Sequence, residues 1–237
     1  MKRLSEKVVQ KKAIEFLRLR YLKQTLPNTK LTRNPEEYTN KKKRADGMFC
    51  LHTKRQRFFV ASLEAKSHKT LHNLSPKWND GKVFQNGSAI ALVLIILFLL
   101  IASSLSSLWL IIGSLLIGLF SLLGYFFYSE SFAPTSHKLS EVFQQIDKYP
   151  GNEQWLAVSD DSLILLNMQS NFFKGQSNDE AIKEICIKRG VGLLVVTPKV
   201  VKVELKPKYK KGFFLPSYRY HNEIKAAMDE FEEKYAT

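Results

Sequence analysis

The sequence predicts an α/β domain with a mixed sheet flanked by helices, interrupted by a two-helix transmembrane hairpin. Three observations lead there. Residues 88–128 form one long apolar stretch, inside a window from Val83 to Tyr128 that holds no Asp, Glu, Lys or Arg. The residues on either side alternate between helical and strand periodicity, in the order α-β-β before the stretch and α-β-α-β-α after it. Neither flank has enough elements for a core of its own, so the two are read as one domain.

The apolar stretch is the plainest of these features. A bilayer core about 30 Å thick takes roughly 20 apolar helical residues. Residues 88–128 therefore suit two crossings, and the polar cluster Ser103-Ser104-Leu105-Ser106-Ser107 is the natural turn. Trp109, Tyr125 and Tyr128 sit where aromatic rings favour the interface. Gly113, Gly118 and Gly124 are expected to let the two helices approach closely. A core hairpin in a soluble protein would keep a polar face, which this stretch lacks. Its position also excludes a signal peptide.

Two crossings return the chain to the side it left. Residues 1–82 hold 21 Lys/Arg and 7 Asp/Glu, a net of +14, while residues 129–237 hold 15 of each. Lys77 and Lys82 precede the first span, and basic residues near spans stay cytoplasmic. The expectation is a multi-pass protein of the cell membrane, with residues 1–82, 129–237 and both termini cytoplasmic. Cys50 and Cys186 fit a reducing compartment and have no metal-ligand spacing.

The flanking elements follow in order. Residues 4–24 read as an amphipathic helix, with Leu4, Val8, Ile14, Leu17, Tyr21 and Leu22 on its apolar side and Pro27 beyond it. Residues 28–44 are polar and basic. Ala45–Thr53 and Arg57–Ser67 read as a β-hairpin around Lys54-Arg55-Gln56. After the apolar stretch come a short helix, Leu139–Tyr149, and a strand, Gln154–Ser159. A helix at Asn178–Arg189 is capped by Ser177 or Asn178 and stopped by Gly190. Val191–Thr197 is a buried strand, 199–211 an exposed strand and loop, and His221–Tyr235 a closing helix that buries Ile224, Met228, Phe231 and Tyr235.

The residues that carry chemistry lie on the β-hairpin. Asp46 opens its first strand, and Glu64-Ala65-Lys66 ends its second. Residues two apart on a strand share a face, so Glu64 and Lys66 project together. The hairpin can bring Asp46 alongside. Two converging carboxylates can hold Mg²⁺ or Mn²⁺, and a neighbouring lysine can orient a water or offset developing negative charge. The bland alternatives are an exposed ion pair for Glu64 and Lys66 and an Asp-Gly turn for Asp46.

With this pattern the sequence resembles the PD-(D/E)XK nuclease superfamily, with its restriction-endonuclease-like fold and its Mrr-like and Holliday-junction-resolvase-like members. Asp46 matches the first acidic position, and Glu64 and Lys66 the Glu-x-Lys. The resemblance implies an α-β-β-β-α-β core, a divalent metal held by Asp46 and Glu64, and phosphodiester hydrolysis. It also implies a first-helix glutamate, Glu6 or Glu15, and a later glutamine, Gln144 or Gln145. The apolar insertion and the absence of a proline before Asp46 depart from the common pattern.

Other signals are weaker. His68 and His72 suit a surface pair, without the glutamate of a zinc-protease motif. Asp160-Asp161 reads as a turn. No phosphate-cradling glycine loop, nucleophile elbow or kinase signature is present. Lys41-Lys42-Lys43-Arg44, directly before Asp46, suits a nucleic-acid backbone, and Lys54, Arg55 and Arg57 add further positive charge. The expected function is a membrane-tethered nuclease acting on nucleic acid, DNA first, with the lipid bilayer as partner and a homo-oligomer allowed. The alternative is a non-catalytic membrane protein whose basic domain binds a partner, nucleic acid or anionic lipid.

Overall fold

The computed structural model describes residues 3–23, 32–35, 39, 44–52, 58–75, 77–78, 80–105, 108–131, 138–168 and 177–235. The chain divides into two compact units. One carries a mixed β-sheet built from both flanks of the apolar stretch, and the other is built around residues 76–139.

In the first unit, helix α1 (Glu6–Leu22) leads into strands β1 (Thr32–Pro35), β2 (Gly47–Leu51) and β3 (Phe59–Lys66), then the single turn α2 (Leu71–Leu74). After the second unit come α5 (Glu141–Ile146), β6 (Glu153–Ser159), α6 (Asp160–Met168), α7 (Asn178–Arg189), β7 (Gly192–Val196), β8 (Val201–Leu205) and α8 (His221–Tyr235). The six strands stand in the order β1-β2-β3-β6-β7-β8. The β3–β6 and β6–β7 pairs are parallel, and the others antiparallel. Thus β3, from before the apolar stretch, hydrogen-bonds to β6, from after it.

Strand alternation sorts the core into two faces. Phe49, Leu51, Phe59, Ala61, Leu63, Trp155, Ala157 and Leu194 pack against α1. On the other face, Leu156, Val158 and Leu193 pack against α5, α6 and α7, while Met48, Cys50 and Val60 meet α8 through Ile224 and Met228. Every residue of β3 is buried, as befits a strand covered on both sides.

Several elements differ from the sequence expectation. The strand β1 falls in a segment read as polar and basic, and pairs with β2 as a sheet edge. Asp160 and Asp161 open helix α6 instead of forming a turn, where carboxylates favour the helix N-terminus. The buried stripe of α1 is Val9, Ala13, Ile14, Leu17 and Tyr21, so Val8 and Leu22 face outward. Ser177 is the cap of α7, in a reciprocal capping box with Glu180, and Gly190 closes the helix at φ +68°. Ile224 and Met228 are buried in α8, while the side chains of Phe231 and Tyr235 lie outside the described residues.

The second unit holds β4 (Lys77–Trp78), α3 (Asp80–Leu105), α4 (Leu108–Ser131) and β5 (Lys138–Leu139). Gly81–Ile101 and Ile111–Ser129 are long and apolar enough to cross a membrane, and only 11% of each is buried. Of the predicted turn, Ser103, Ser104 and Leu105 are the last residues of α3, and residues 106 and 107 lie outside the described set. Gly118 meets the expectation of close approach: a Cβ there would lie 2.4 Å from Ile95. Gly113 and Gly124 do not, since a Cβ would meet nothing within 4 Å, and Gly87 against Leu122 and Tyr125 is the second close contact. The hydroxyls of Ser103, Ser114, Ser121 and Ser129 donate to carbonyls three residues back, so they need no outside partner. β4 and β5 pair antiparallel, joining the two ends of this unit.

The tightest backbone approach in the sheet lies at Gly192, where a Cβ would sit 2.5 Å from the Trp155 ring and 2.9 Å from Pro207. Gly192→Ala is expected to cost about 1–3 kcal/mol through overpacking. Gly113→Ala is expected to leave the thermal unfolding of the sheet-bearing unit unchanged. Equal melting curves for the two variants would show that this packing is wrong.

Candidate active site

The site begins with register. Gly47 pairs with Leu63, so Asp46, one residue earlier, comes abreast of Glu64, one residue later. Oδ2 of Asp46 accepts the Ala65 amide hydrogen at 2.7 Å, fixing the carboxylate at the end of β3. Gln10 of α1 donates to the Asp46 carbonyl at 2.6 Å, and Gly47 packs against Ile14. Helix α1 thus holds the Asp-Gly step from one face.

Glu64 and Lys66 project from the other face. Nζ of Lys66 donates to Oε1 of Glu64 at 2.6 Å, with the side chains 7% and 5% exposed. The second oxygen of Glu64, Oε2, is buried and has no hydrogen-bond partner among the described residues. Burial, then the charge of Asp46, pushes Glu64 up to about 7, against the pull of Lys66. Burial likewise raises Asp46, opposed by the Ala65 amide and by Lys66. Burial pulls Lys66 down, but Glu64, Asp46 and Glu6 together outweigh it and hold the ammonium above its ordinary value.

The structure separates the pairs of alternatives. Glu6 acts electrostatically on Asp46, Glu64 and Lys66, and its carboxylate accepts from the Thr70 hydroxyl at 2.8 Å. Glu15 lies on the outside of α1, paired with Arg18. Gln144 is exposed, whereas Gln145 is turned inward and its Oε1 is buried without a partner among the described residues. Arg44 is exposed yet felt by Asp46, while Lys41, Lys42, Lys43, Lys54, Arg55 and Arg57 lie outside the described residues.

Two further groups border the site: Tyr149, which sequence reasoning did not single out, and His68, which it read only as half of a surface pair with His72. Tyr149 follows α5, and its carbonyl accepts from Ser62 of β3 and Gln154 of β6, each at 2.9 Å. Burial, then Glu64 and Asp46, raises its phenol, which stays protonated. His68 Nδ1 lies 3.2 Å from the Leu4 carbonyl and 3.4 Å from Asp161, tying the start of α1 to β3 and α6. His72 is exposed and does not join it. No local signal marked Tyr149, and the spacing of His68 from His72 did not point to the tertiary contacts that His68 makes.

Among the described residues no group of three or more His, Cys, Asp and Glu side chains is set to hold a metal. What the site offers is two hard carboxylates, with one buried oxygen of Glu64 unpaired among the described residues and its proton affinity raised first by burial and then by Asp46. Asp46 and Glu64 are the carboxylates that could hold a hard divalent cation such as Mg²⁺ or Mn²⁺ here.

Glu64 binds protons more tightly folded than unfolded, where its ordinary value is near 4.5. Its contribution to stability is full below that value and is lost as pH rises through about 7. Without added metal, melting temperatures should therefore fall from pH 5 to pH 8, and Glu64→Gln should remove this part of the slope. An unchanged slope in the variant would contradict the assignment. Comparison with family models, curated proteins and solved structures finds no match to this chain.

Proposed function

We propose that this chain is a membrane-tethered, metal-dependent nuclease of the PD-(D/E)XK type, acting on DNA. The observation that carries the reading is the meeting of Asp46 and Glu64 at the end of β3, with Lys66 against Glu64. The order α1-β1-β2-β3, then α5-β6, supports it as the α-β-β-β-α-β core of the restriction-endonuclease-like fold. Glu6 on the first helix and Gln145 on α5 are read as the auxiliary residues of that superfamily, supported by the closeness of Glu6 to the pair and the inward Oε1 of Gln145.

In this reading Asp46 and Glu64 would hold Mg²⁺ or Mn²⁺, which would supply a more acidic water and countercharge for the phosphodiester. Glu64 would hold the cation as the carboxylate, without its proton. Lys66 then orients the attacking water or offsets charge on the scissile phosphate. Gln145 offers its amide to the water, and Arg44 with Lys41–Lys43 attracts the nucleic-acid backbone. In the same reading α3 and α4, long and apolar enough to span, cross the cell membrane, and the basic excess of residues 1–82 supports a cytoplasmic side for both flanks.

The test is cleavage of plasmid and linear DNA by the full chain in detergent, with Mg²⁺ or Mn²⁺. Glu64→Gln and Lys66→Met preserve side-chain volume and are expected to lower the rate about a hundredfold or more. Cleavage that survives both substitutions contradicts the site. No cleavage of DNA or RNA by a folded chain supports the non-catalytic reading instead.

A further inference from the structure

The two faces of the sheet are covered unequally. Six strands spaced about 4.8 Å apart span about 24 Å, and a helix covers about 10 Å of that width. The α5, α6, α7 and α8 helices share one face, whereas α1 serves the other. What α1 leaves open is a groove of about 510 Å³ lined by Phe16, Leu19, Arg20, Lys23 and Lys206. Its floor is apolar, its rim carries three cations, and no carboxylate among the described residues lines it. Leu19 is 51% exposed and Leu22, on the next turn, 45%. The Arg20 guanidinium lies 5.1 Å from the centre of the Trp155 ring, which holds that cation at the rim.

The groove is distinct from the carboxylate site. Glu6 starts α1, while Phe16 to Lys23 lie at and just past its other end, a separation of about 15–25 Å along the helix. We propose that this groove docks the sheet-bearing unit on an anionic phospholipid bilayer surface. Leu19 and Leu22 enter the acyl boundary, and Arg20, Lys23 and Lys206 meet headgroup phosphates. Nucleic acid carries the same phosphates but offers no aliphatic phase for the two leucines. The proposal rests on the bilayer reading of α3 and α4, because anchoring keeps the groove at high effective concentration beside lipid.

The test uses the full chain in lipid nanodiscs, with an environment-sensitive label on Leu19→Cys, Leu97→Cys or Lys225→Cys. The native Cys50 and Cys186 are buried and do not compete for the label. Leu97 lies outward on α3 and reports insertion, and Lys225 on α8 is the water-exposed control. The Leu19 label is expected to be quenched by lipid-borne quenchers in discs containing phosphatidylglycerol, and to stay in water in phosphatidylcholine alone. Lys23→Gln and Lys206→Gln should each weaken the docked population about fivefold. A quenched Leu97 label with a wet Leu19 label overturns the docking while leaving the anchor. Equal quenching of Leu19 in both lipids, or shielding only by duplex DNA, overturns it too. An unquenched Leu97 label removes the anchor, and the proposal with it.

Discussion

A charge pair taken out of water, Glu64 with Lys66, sets the terms for the surrounding structure. Removing one carboxylate and one ammonium from solvent costs several kcal/mol each before their attraction is counted. The pair is short, yet one oxygen of Glu64 remains unpaired and Asp46 adds a second negative charge beside it. An apolar pair of the same volume would fill the end of β3 at lower cost. In the proposed reading the arrangement stores affinity for a cation and a phosphate, supported by the neighbours that fix it. Those neighbours are specific: the Ala65 amide on Asp46, Gln10 on the Asp46 carbonyl, and Ser62 with Gln154 on the Tyr149 carbonyl.

The apolar hairpin lies in the connection between β3 and β6. These strands are parallel, and a parallel pair requires a crossover connection rather than a tight turn. The entropy of closing a connection grows slowly with its length, so a long insertion there is tolerated. The β4–β5 pairing joins Lys77 and Trp78 to Leu139 and Lys138, so the insertion leaves and returns at neighbouring points. The sheet can therefore be completed across it.

Much of this was legible from local pattern. The absence of charge marked the apolar helices, strand alternation marked β2 and β3, and the spacing of Asp46 from Glu64 matched the register. What escaped was set by tertiary placement. The phase of α1 turned on one residue, burying Val9 and Ala13 instead of Val8 and Leu22. β1 is a short edge strand containing Pro35, with little periodicity to read. Glu6 and Glu15 are equivalent in sequence, and tertiary placement separates them: Glu6 meets Thr70 and acts on the carboxylate pair, while Glu15 pairs outward with Arg18. Gly113 and Gly124 failed as contact points because the helix faces, not residue type, decide which glycines meet a neighbour.

The central claim is that Asp46 and Glu64 form one divalent-cation site whose occupancy depends on the ionisation of Glu64. Mn²⁺ binding to the detergent-solubilised chain, followed by electron paramagnetic resonance, tests it most directly. The account predicts one saturable site per chain at pH 8, weakening as pH falls through about 7, and lost in the Asp46→Asn, Glu64→Gln double variant. Saturable binding that is unchanged in the double variant, or no saturable binding at pH 8, would contradict it.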